Sequence, residues 1–520
     1  MNTCTPVQQI RRASRNLIGD ALARSVRRNP HKEALRFGER SWSYARLDAG
    51  ANRVARRLIG LGLRAGDRVA AYGRNSDAYV LLWLGCVRAG LVHVPINYAL
   101  IDSELRYIVD QSGARALFAD PDMASHVRAP GVTLSCEWQG TLHGGLDHDV
   151  LGWAQLPGDA TPPELDVDEE AVVQLLYTSG TTAAPKGAMM SHRALLAEYV
   201  ATLLALDIRE DDCSLASLPL YHSAQMHVFL MPQLLVGATT LLVQAPLPES
   251  CIALIASEKI TSFFAPPTVW IAFLRHPAFD PVRLACLQKG YYGASIMPVA
   301  VVQELASRLP ALALYNCYGQ SEIAPLATVL RPEEHAERPA SAGRPIFNVE
   351  TRIVDTDMKD VPVGEMGEIV HRSPQLMSGY WDKPDETAAT FADGWFRSGD
   401  VGYMDAGGYL YITDRIKDVI KTGGGVVSGR GGEEARYLHS AVAEAAVVGL
   451  PDEKWIEAVV AVVSLKQGVR ASAEDIIAHA REHLAPFKVP KQVFFVEDMP
   501  RNASGKLLKR ELRRIYAGTA

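Results

Sequence analysis

Apolar and polar positions in this chain alternate between helical and strand periods from residue 43 onward. Leu47, Ala51, Val54, Ala55, Leu58 and Ile59 recur at helical spacing on one face, with Ser43 ahead of them as a cap. Residues 60–66 are bounded by glycines and end the helix, and RVAAYG (68–73) reads as a strand. A helix over about 76–89 and the apolar strand LVHVPIN (91–97) follow. Such alternation predicts parallel sheets covered by helices. Residues 129–170 are rich in Gly, Pro and Asp and predict loop and surface hairpin. A second α/β region runs from Ala171 to about Arg344, and from Val349 short β runs such as ETRIVD and GEIVHRSP predict a small β unit. The clearest boundary is DRIKDVIKTGGGVVSG (414–429), where a charged segment runs into glycines. Beyond it come a helix near 433–439, the strands AEAAVVGL and AVVAVVSL, a helix over about 473–484 and the strand QVFFVEDMP. This last part reads as a separate small domain on a hinge. The expected fold class is α/β: a large N-terminal region of several subdomains with parallel-rich sheets and a small β unit, then a small mobile α/β C-terminal domain. No internal repeat is evident.

At 520 residues the chain exceeds one core, so two to four domains are expected. A hydrophobic share of 48% and a charged share of 22% describe an ordinary globular protein. The net charge of −6 argues against nucleic acid as a partner. Cys4, Cys86, Cys136, Cys213, Cys251, Cys286 and Cys317 are odd in number, widely spaced and without a Cys-x-x-Cys pair. They point to reduced thiols rather than a zinc or disulfide framework. Arg11, Arg12 and Arg15 are followed by no apolar core of a signal peptide, and no run of about 18 apolar residues predicts a membrane span. A cytoplasmic protein is expected.

The segment YTSGTTAAPKG (177–187) carries the most chemistry. It follows the apolar run 171–176, which reads as a buried strand, and sets Thr178, Ser179, Thr181 and Thr182 around Gly180 before Pro185, Lys186 and Gly187. Glycine lets the backbone approach a polyanion, hydroxyls and N–H groups donate to its oxygens, and lysine adds a positive charge. The P-loop spacing is absent, because Pro185 precedes Lys186 and Gly187 follows it. The plainer alternative is a polar surface turn, which six small or hydroxylated residues in a row disfavour.

Further segments share an order with this one: LPLYHSAQ (218–225), YYGAS (291–295), YGQSE (318–322), GWFRSGD (394–400), DRIKDVIKTGG (414–424) and MPRNASGK (499–506). Together they resemble the adenylate-forming superfamily of acyl- and aryl-CoA synthetases over nearly the whole chain. The resemblance implies two half-reactions, in which a carboxylate and ATP give an acyl-adenylate and pyrophosphate, and a thiol, usually of CoA, then displaces AMP. It implies Thr178, Ser179, Gly180, Thr181, Thr182 and Lys186 at the phosphates, Glu322 on Mg²⁺, Asp400 and Arg415 at the ribose, and Gly293, Ala294, Tyr318, Gly319 and Ser321 around the nucleotide. His222 would stand between nucleotide and acyl group, and Lys506 would stabilise charge in adenylate formation. The acyl pocket would draw on His222, Met226, Val269, Trp270 and Tyr291, with Val228 and Phe229 adding apolar surface. The small domain, 417–520, would turn on the larger one, 1–416, about Lys417. CoA would then meet Gly423, Gly424 and Trp455. The implied small molecules are ATP or AMP, Mg²⁺ and coenzyme A, with a carboxylic acid or acyl-adenylate as substrate; a homodimer is left open. Taken singly, Glu322 and Asp400 would be solvated turn acids, His222 a structural histidine and Lys506 a surface charge.

The chain departs from the family pattern at Ala183 in the phosphate loop and at Gly425, Val426, Gly431 and Ile456 beyond the hinge. These departures raise an alternative enzyme that only transfers a preformed acyl-adenylate to CoA. Another alternative is a stand-alone adenylation enzyme that loads a carrier protein. A non-catalytic binding protein and a light-emitting oxygenase are remoter. No Asp stands out as a partner for an amino group, which disfavours amino acids.

Overall fold

The computed structural model describes residues 10, 13–127, 134–145, 148–164, 167–178, 184–295, 297–416, 418, 420–422, 425–427, 439, 441–452, 456–484, 486, 488–501 and 507–517. Two large sheets dominate it. One has six strands in the order Trp138–Thr141, Ala114–Ala119, Arg68–Tyr72, Val92–Ile96, Val172–Thr178 and Lys186–Ser191, parallel except for the last pairing. The other has nine strands, with a parallel centre that includes Cys213–Ala216, Ser262–Phe264, Lys289–Gly293 and Ala313–Gly319, and antiparallel strands at both ends. Helix Asp77–Ala89 packs against strands of both sheets. That position explains why DAYVLLWLGCVRA has so few polar residues: a helix buried on every side has no solvent face. Its one acid, Asp77, is fully buried and is held by Arg40 at 2.7 and 2.8 Å and by the Trp42 indole at 2.9 Å.

The predicted elements of the N-terminal part form where the pattern puts them. Ser43 caps helix Tyr44–Gly60 by accepting from the Arg46 N–H, and Ser76 caps Asp77–Ala89 by accepting from Tyr79. The expected loop at 129–170 differs. It contains strand Trp138–Thr141, which lies parallel to Ala114–Ala119 at the sheet edge, and helix Val150–Gln155, capped by Asp149. A four-residue edge strand with a central glycine leaves no period to read; Gly140 is there because a Cβ would meet the His148 carbonyl at 2.5 Å.

The β runs after 349 form a separate sheet in which Glu350–Val354, Gly367–Arg372, Trp395–Met404 and Leu410–Arg415 pair antiparallel. A fourth sheet holds Ile420–Thr422, Gly425–Val427, Val442–Asp452, Ile456–Leu465 and Gln492–Phe495. Helices Ala473–His483 and Lys509–Tyr516 accompany it. The expected helix near 433–439 lies outside the described residues except for residue 439. Cys86, Cys136, Cys213, Cys251, Cys286 and Cys317 are free thiols. Among the described residues no helix is long and apolar enough to cross a membrane.

Candidate active site

The segment 177–187 links two antiparallel strands. Strand Val172–Thr178 pairs antiparallel with Lys186–Ser191, and Thr178 stands opposite Lys186. The exit of the turn is fixed by the Tyr107 hydroxyl, which donates to the Pro185 carbonyl at 3.1 Å. A second segment then lies along the Lys186 strand: Ser378 N–H donates to the Met189 carbonyl, Met189 N–H to Gly379 and Trp381 N–H to Gly187, at 2.8–2.9 Å. This pairing brings Tyr380 beside Lys186, with the ammonium 4.4 Å from the ring centroid. The Tyr380 hydroxyl donates to Glu322 Oε1 at 3.0 Å. Lys186, Tyr380 and Glu322 thus form one polar line from the hairpin to the YGQSE segment.

Glu322 sits in the short 3₁₀ turn Ser321–Ile323 that follows strand Ala313–Gly319, and is 8% exposed. Ser321 hydrogen-bonds Ser223 at 2.8 Å, which ties this turn to the LPLYHSAQ segment. At the end of the same strand the Tyr318 hydroxyl donates to Asp400 Oδ2 at 2.7 Å. Asp400 and Arg415 are cross-strand partners in the Trp395–Met404 and Leu410–Arg415 hairpin, and the guanidinium Nε lies 2.9 Å from Asp400 Oδ1. Burial disfavours the Arg415 charge, but Asp400, Tyr318, Glu322 and Asp418 outweigh it and raise the Arg415 pKa. Burial, followed by the Asp400 charge, drives the Tyr318 pKa far up, so the phenol keeps its proton as a donor.

Gly293 and Tyr318 end neighbouring parallel strands at their carboxyl ends, where open α/β sheets place ligands. Gly293 is required there, because a Cβ would meet the Cys317 carbonyl at 2.2 Å. Ala294 follows in the left-handed region at φ 63°, which is strained for a residue with a Cβ. At Gly319 a Cβ would strike the Pro325 carbonyl at 1.8 Å.

His222 packs against Tyr221 with ring centroids 4.4 Å apart. Its Nε2 is buried and has no protein partner, and burial pushes its pKa down to about 4. The imidazole is therefore neutral near pH 7, and one buried ring nitrogen remains to be satisfied.

The apolar residues expected at the acyl group fall in three buried cores. Met226 is fully buried in a core with Leu220 and Leu230. Val269 and Trp270 belong to a second core with Phe263 and Phe273, and the Trp270 indole donates to the Tyr291 carbonyl at 3.1 Å. The Tyr291 ring lies in a third, 5.0 Å from Phe229, with its hydroxyl donating to the Leu206 carbonyl. Met226 and Trp270 thus lie in core positions, as apolar residues beside a motif most often do. Phe229, Phe264 and Tyr291 are buried together in the third core, with Phe229 and Phe264 stacked at 4.3 Å.

Ser179, Gly180, Thr181, Thr182, Ala183, Lys417, Gly423, Gly424, Gly431, Trp455 and Lys506 lie outside the described residues, as do the side chains of Gly425, Val426 and Ile456. Tyr380 was not anticipated from the sequence. Its signal is only a Gly-Tyr-Trp triplet outside the ordered motifs, and it acquires its contacts through strand pairing.

The donor set around Glu322 fits a hard cation. One carboxylate oxygen accepts from Tyr380, and among the described residues the carboxylate has no ion-pair partner. A buried acid left in this state suits an oxygen-seeking divalent ion such as Mg²⁺.

The chain matches the AMP-binding enzyme family over residues 22–381 and the AMP-binding enzyme C-terminal domain over residues 433–506. It is 36% identical to a feruloyl-CoA synthase of Amycolatopsis, over 96% of this chain and 99% of that protein. It is 33% identical to the fatty acid–[acyl-carrier-protein] ligase ScoC of Streptomyces coeruleorubidus, over 94% of each chain. ATP-bound MatB from Rhodopseudomonas palustris superposes with a TM-score of 0.89 at 29% identity, over 96% of this chain and 99% of that one. The chain belongs to the AMP-binding enzymes, the adenylate-forming superfamily of ATP-dependent acid–thiol ligases.

Proposed function

We propose that this protein activates a hydrophobic carboxylic acid, aryl acids first, as its acyl-adenylate and then passes the acyl group to the thiol of CoA. The observation that carries the reading is the line Lys186–Tyr380–Glu322 beside the Asp400–Arg415 pair: a cation, a donor and a cation-seeking acid in one buried corner. A carboxylate oxygen of the acid attacks the α-phosphorus of ATP and the bond to pyrophosphate breaks. The thiolate of CoA then attacks the acyl carbonyl and AMP leaves. Thr178, Ser179, Gly180, Thr181, Thr182 and Lys186 hold the triphosphate, Asp400 and Arg415 take the ribose hydroxyls, and the 293–294 backbone with Tyr318 flanks the adenine. Glu322 holds Mg²⁺, which when bound supplies neutralising charge among the phosphates. His222 offers its unsatisfied ring nitrogen to the acid. The 417–520 domain turns about Lys417, presenting Lys506 for the first step and the 423–424 backbone for the second. The similarity to a feruloyl-CoA synthase supports the choice of aryl acids.

A second reading, loading of a carrier protein's phosphopantetheine thiol, is favoured by the similarity to ScoC. A split assay tests all of these. One arm follows ATP-dependent pyrophosphate release over a panel of hydroxycinnamic, benzoic and fatty acids. The other supplies synthetic acyl-adenylates with CoA or a phosphopantetheinylated carrier and follows the thioester. Activity in both arms with CoA is expected. Thioester from preformed adenylate alone would mean that the first half-reaction is absent, and preference for the carrier would install the second reading.

A further inference from the structure

The three histidines after residue 416, namely His439, His479 and His483, gather at one surface of the C-terminal part. Helix Ala473–His483 carries His479, Glu482 and His483 at spacings of three and four, which sets them on one face. Each offers a ligand atom, and these atoms all lie within 4.8 Å of one another. The His479 and His483 rings are 4.4 Å apart, and His439, from a different part of the chain, meets His479 edge-on at 5.2 Å. The His483 ring is oriented by its own helix. Its Nδ1 lies 2.9 Å from the His479 carbonyl. A carbonyl only accepts, so Nδ1 is the donor and Nε2 is the nitrogen that can bind an ion. Metal-binding histidines are held in the same way, with the second ring nitrogen donating to a carbonyl or carboxylate.

We propose that His479, Glu482 and His483 form a binding site for a divalent transition metal of the Zn²⁺ class. Two imidazoles and one carboxylate are the ligand types such an ion prefers, and a fourth position stays open to water. Two other sets of metal-binding groups in the chain do not compete for it. The thiols are spread through the chain without a pair, and Glu322 offers oxygen suited to Mg²⁺. The site is remote in sequence from every residue assigned to the two half-reactions except those of the C-terminal domain that carries it. Its occupancy would tie the helix face beside His439 without entering the chemistry.

The test uses the untagged full chain in excess Mg²⁺, so that the oxygen site is filled, and titrates Zn²⁺ by calorimetry and Co²⁺ by visible absorption. One equivalent of Zn²⁺ is expected, with affinity falling at least about tenfold in His483→Gln and in the double variant His479→Gln/His483→Gln. Glu482→Gln weakens binding less. Circular dichroism establishes that the variants are folded. X-ray absorption at the zinc edge of the wild-type complex gives an independent answer, and nitrogen and oxygen ligation with two imidazoles is expected. Absence of binding in the wild type, an unchanged titration in a folded double variant, or sulfur ligation would each overturn the site.

Discussion

Two polar regions draw on histidines five residues apart, His222 and His227, and they differ in what is left over. In the first, His222 precedes the Ser223 that bonds Ser321, next to Glu322, and polar groups have unused capacity. The His222 Nε2 is buried without a partner, and among the described residues Glu322 has no ion pair. The second is a chain through the core. The Tyr199 hydroxyl lies 2.7 Å from His227 Nδ1, His227 Nε2 lies 2.6 Å from Gln174 Oε1, and Gln174 Nε2 lies 3.1 Å from His93 Nδ1. An amide oxygen only accepts, so His227 Nε2–H donates to Gln174, and the Tyr199 hydroxyl donates to His227 Nδ1. Both His227 nitrogens are consumed. His222 and His227 flank or lie in the same π-helical turn, Ala224–Leu230, a form common at functional sites. The one has a nitrogen to spare; the other holds strand Val172–Thr178 to helix His192–Ala205.

The sharpest separation comes from Lys186→Ala. If the hairpin lysine acts on the phosphates, pyrophosphate release falls by about 10²–10³-fold while the fold is kept. Thioester formation from preformed adenylate, which has no triphosphate, falls far less. A loss under tenfold in the first arm would return Lys186 to the surface charges.

His227→Leu probes the other region. Removing the ring leaves the Tyr199 hydroxyl and the Gln174 oxygen buried and unpaired, a loss of about 3 kcal/mol in urea unfolding. Activity per folded molecule stays within about twofold of the wild type. The pH dependence has a definite sign. Burial lowers the His227 pKa to about 3, whereas an unfolded histidine titrates near about 6.5. Between those values the unfolded chain binds the extra proton, so this contribution is present above about pH 6.5 and is lost as pH falls. A flatter stability slope below pH 6.5 is expected in the variant; an unchanged slope would remove His227 from the account.

His222→Ala reverses that pattern. The ring satisfies no protein partner through Nε2, so its loss costs little stability, whereas adenylation falls about tenfold for one hydrogen bond to the acid. Unfolding at markedly lower urea with full activity would make His222 a core residue like its neighbour.

These contrasts also mark what could be read from the chain. The parallel strands and the helix caps follow from period and capping residues, because burial there obeys a repeating pattern. Contacts among the ordered motifs were legible too: Tyr318, Asp400 and Arg415 meet, Ser321 bonds to Ser223, and Gly293 is forced by the Cys317 carbonyl. The apolar packing beside them was not. Met226 and Trp270 have the same apolar character as a pocket wall, and only the three-dimensional packing assigns them to separate cores. Tyr380 was missed because its contacts depend on a strand pairing with Ala188, which no local spacing encodes.

Tyr380→Phe gives the smallest and most discriminating effect. The substitution keeps the ring under the Lys186 ammonium, so the cation–π contact of the corner is preserved. It removes only the hydroxyl that donates to Glu322 Oε1. That hydrogen bond orients a carboxylate proposed to hold Mg²⁺, and an orienting bond of about 1 kcal/mol corresponds to about fivefold in rate. The loss should appear as a raised Mg²⁺ requirement in the pyrophosphate arm and should shrink at saturating Mg²⁺, which a merely structural hydroxyl would not produce. Tyr380→Ala loses the ring as well, and its further deficit should persist at saturating Mg²⁺. If phenylalanine and alanine behave alike, the hydroxyl is the whole contribution. If phenylalanine is silent at every Mg²⁺ concentration, Glu322 is oriented by its 3₁₀ turn alone and Tyr380 serves only as the platform for Lys186.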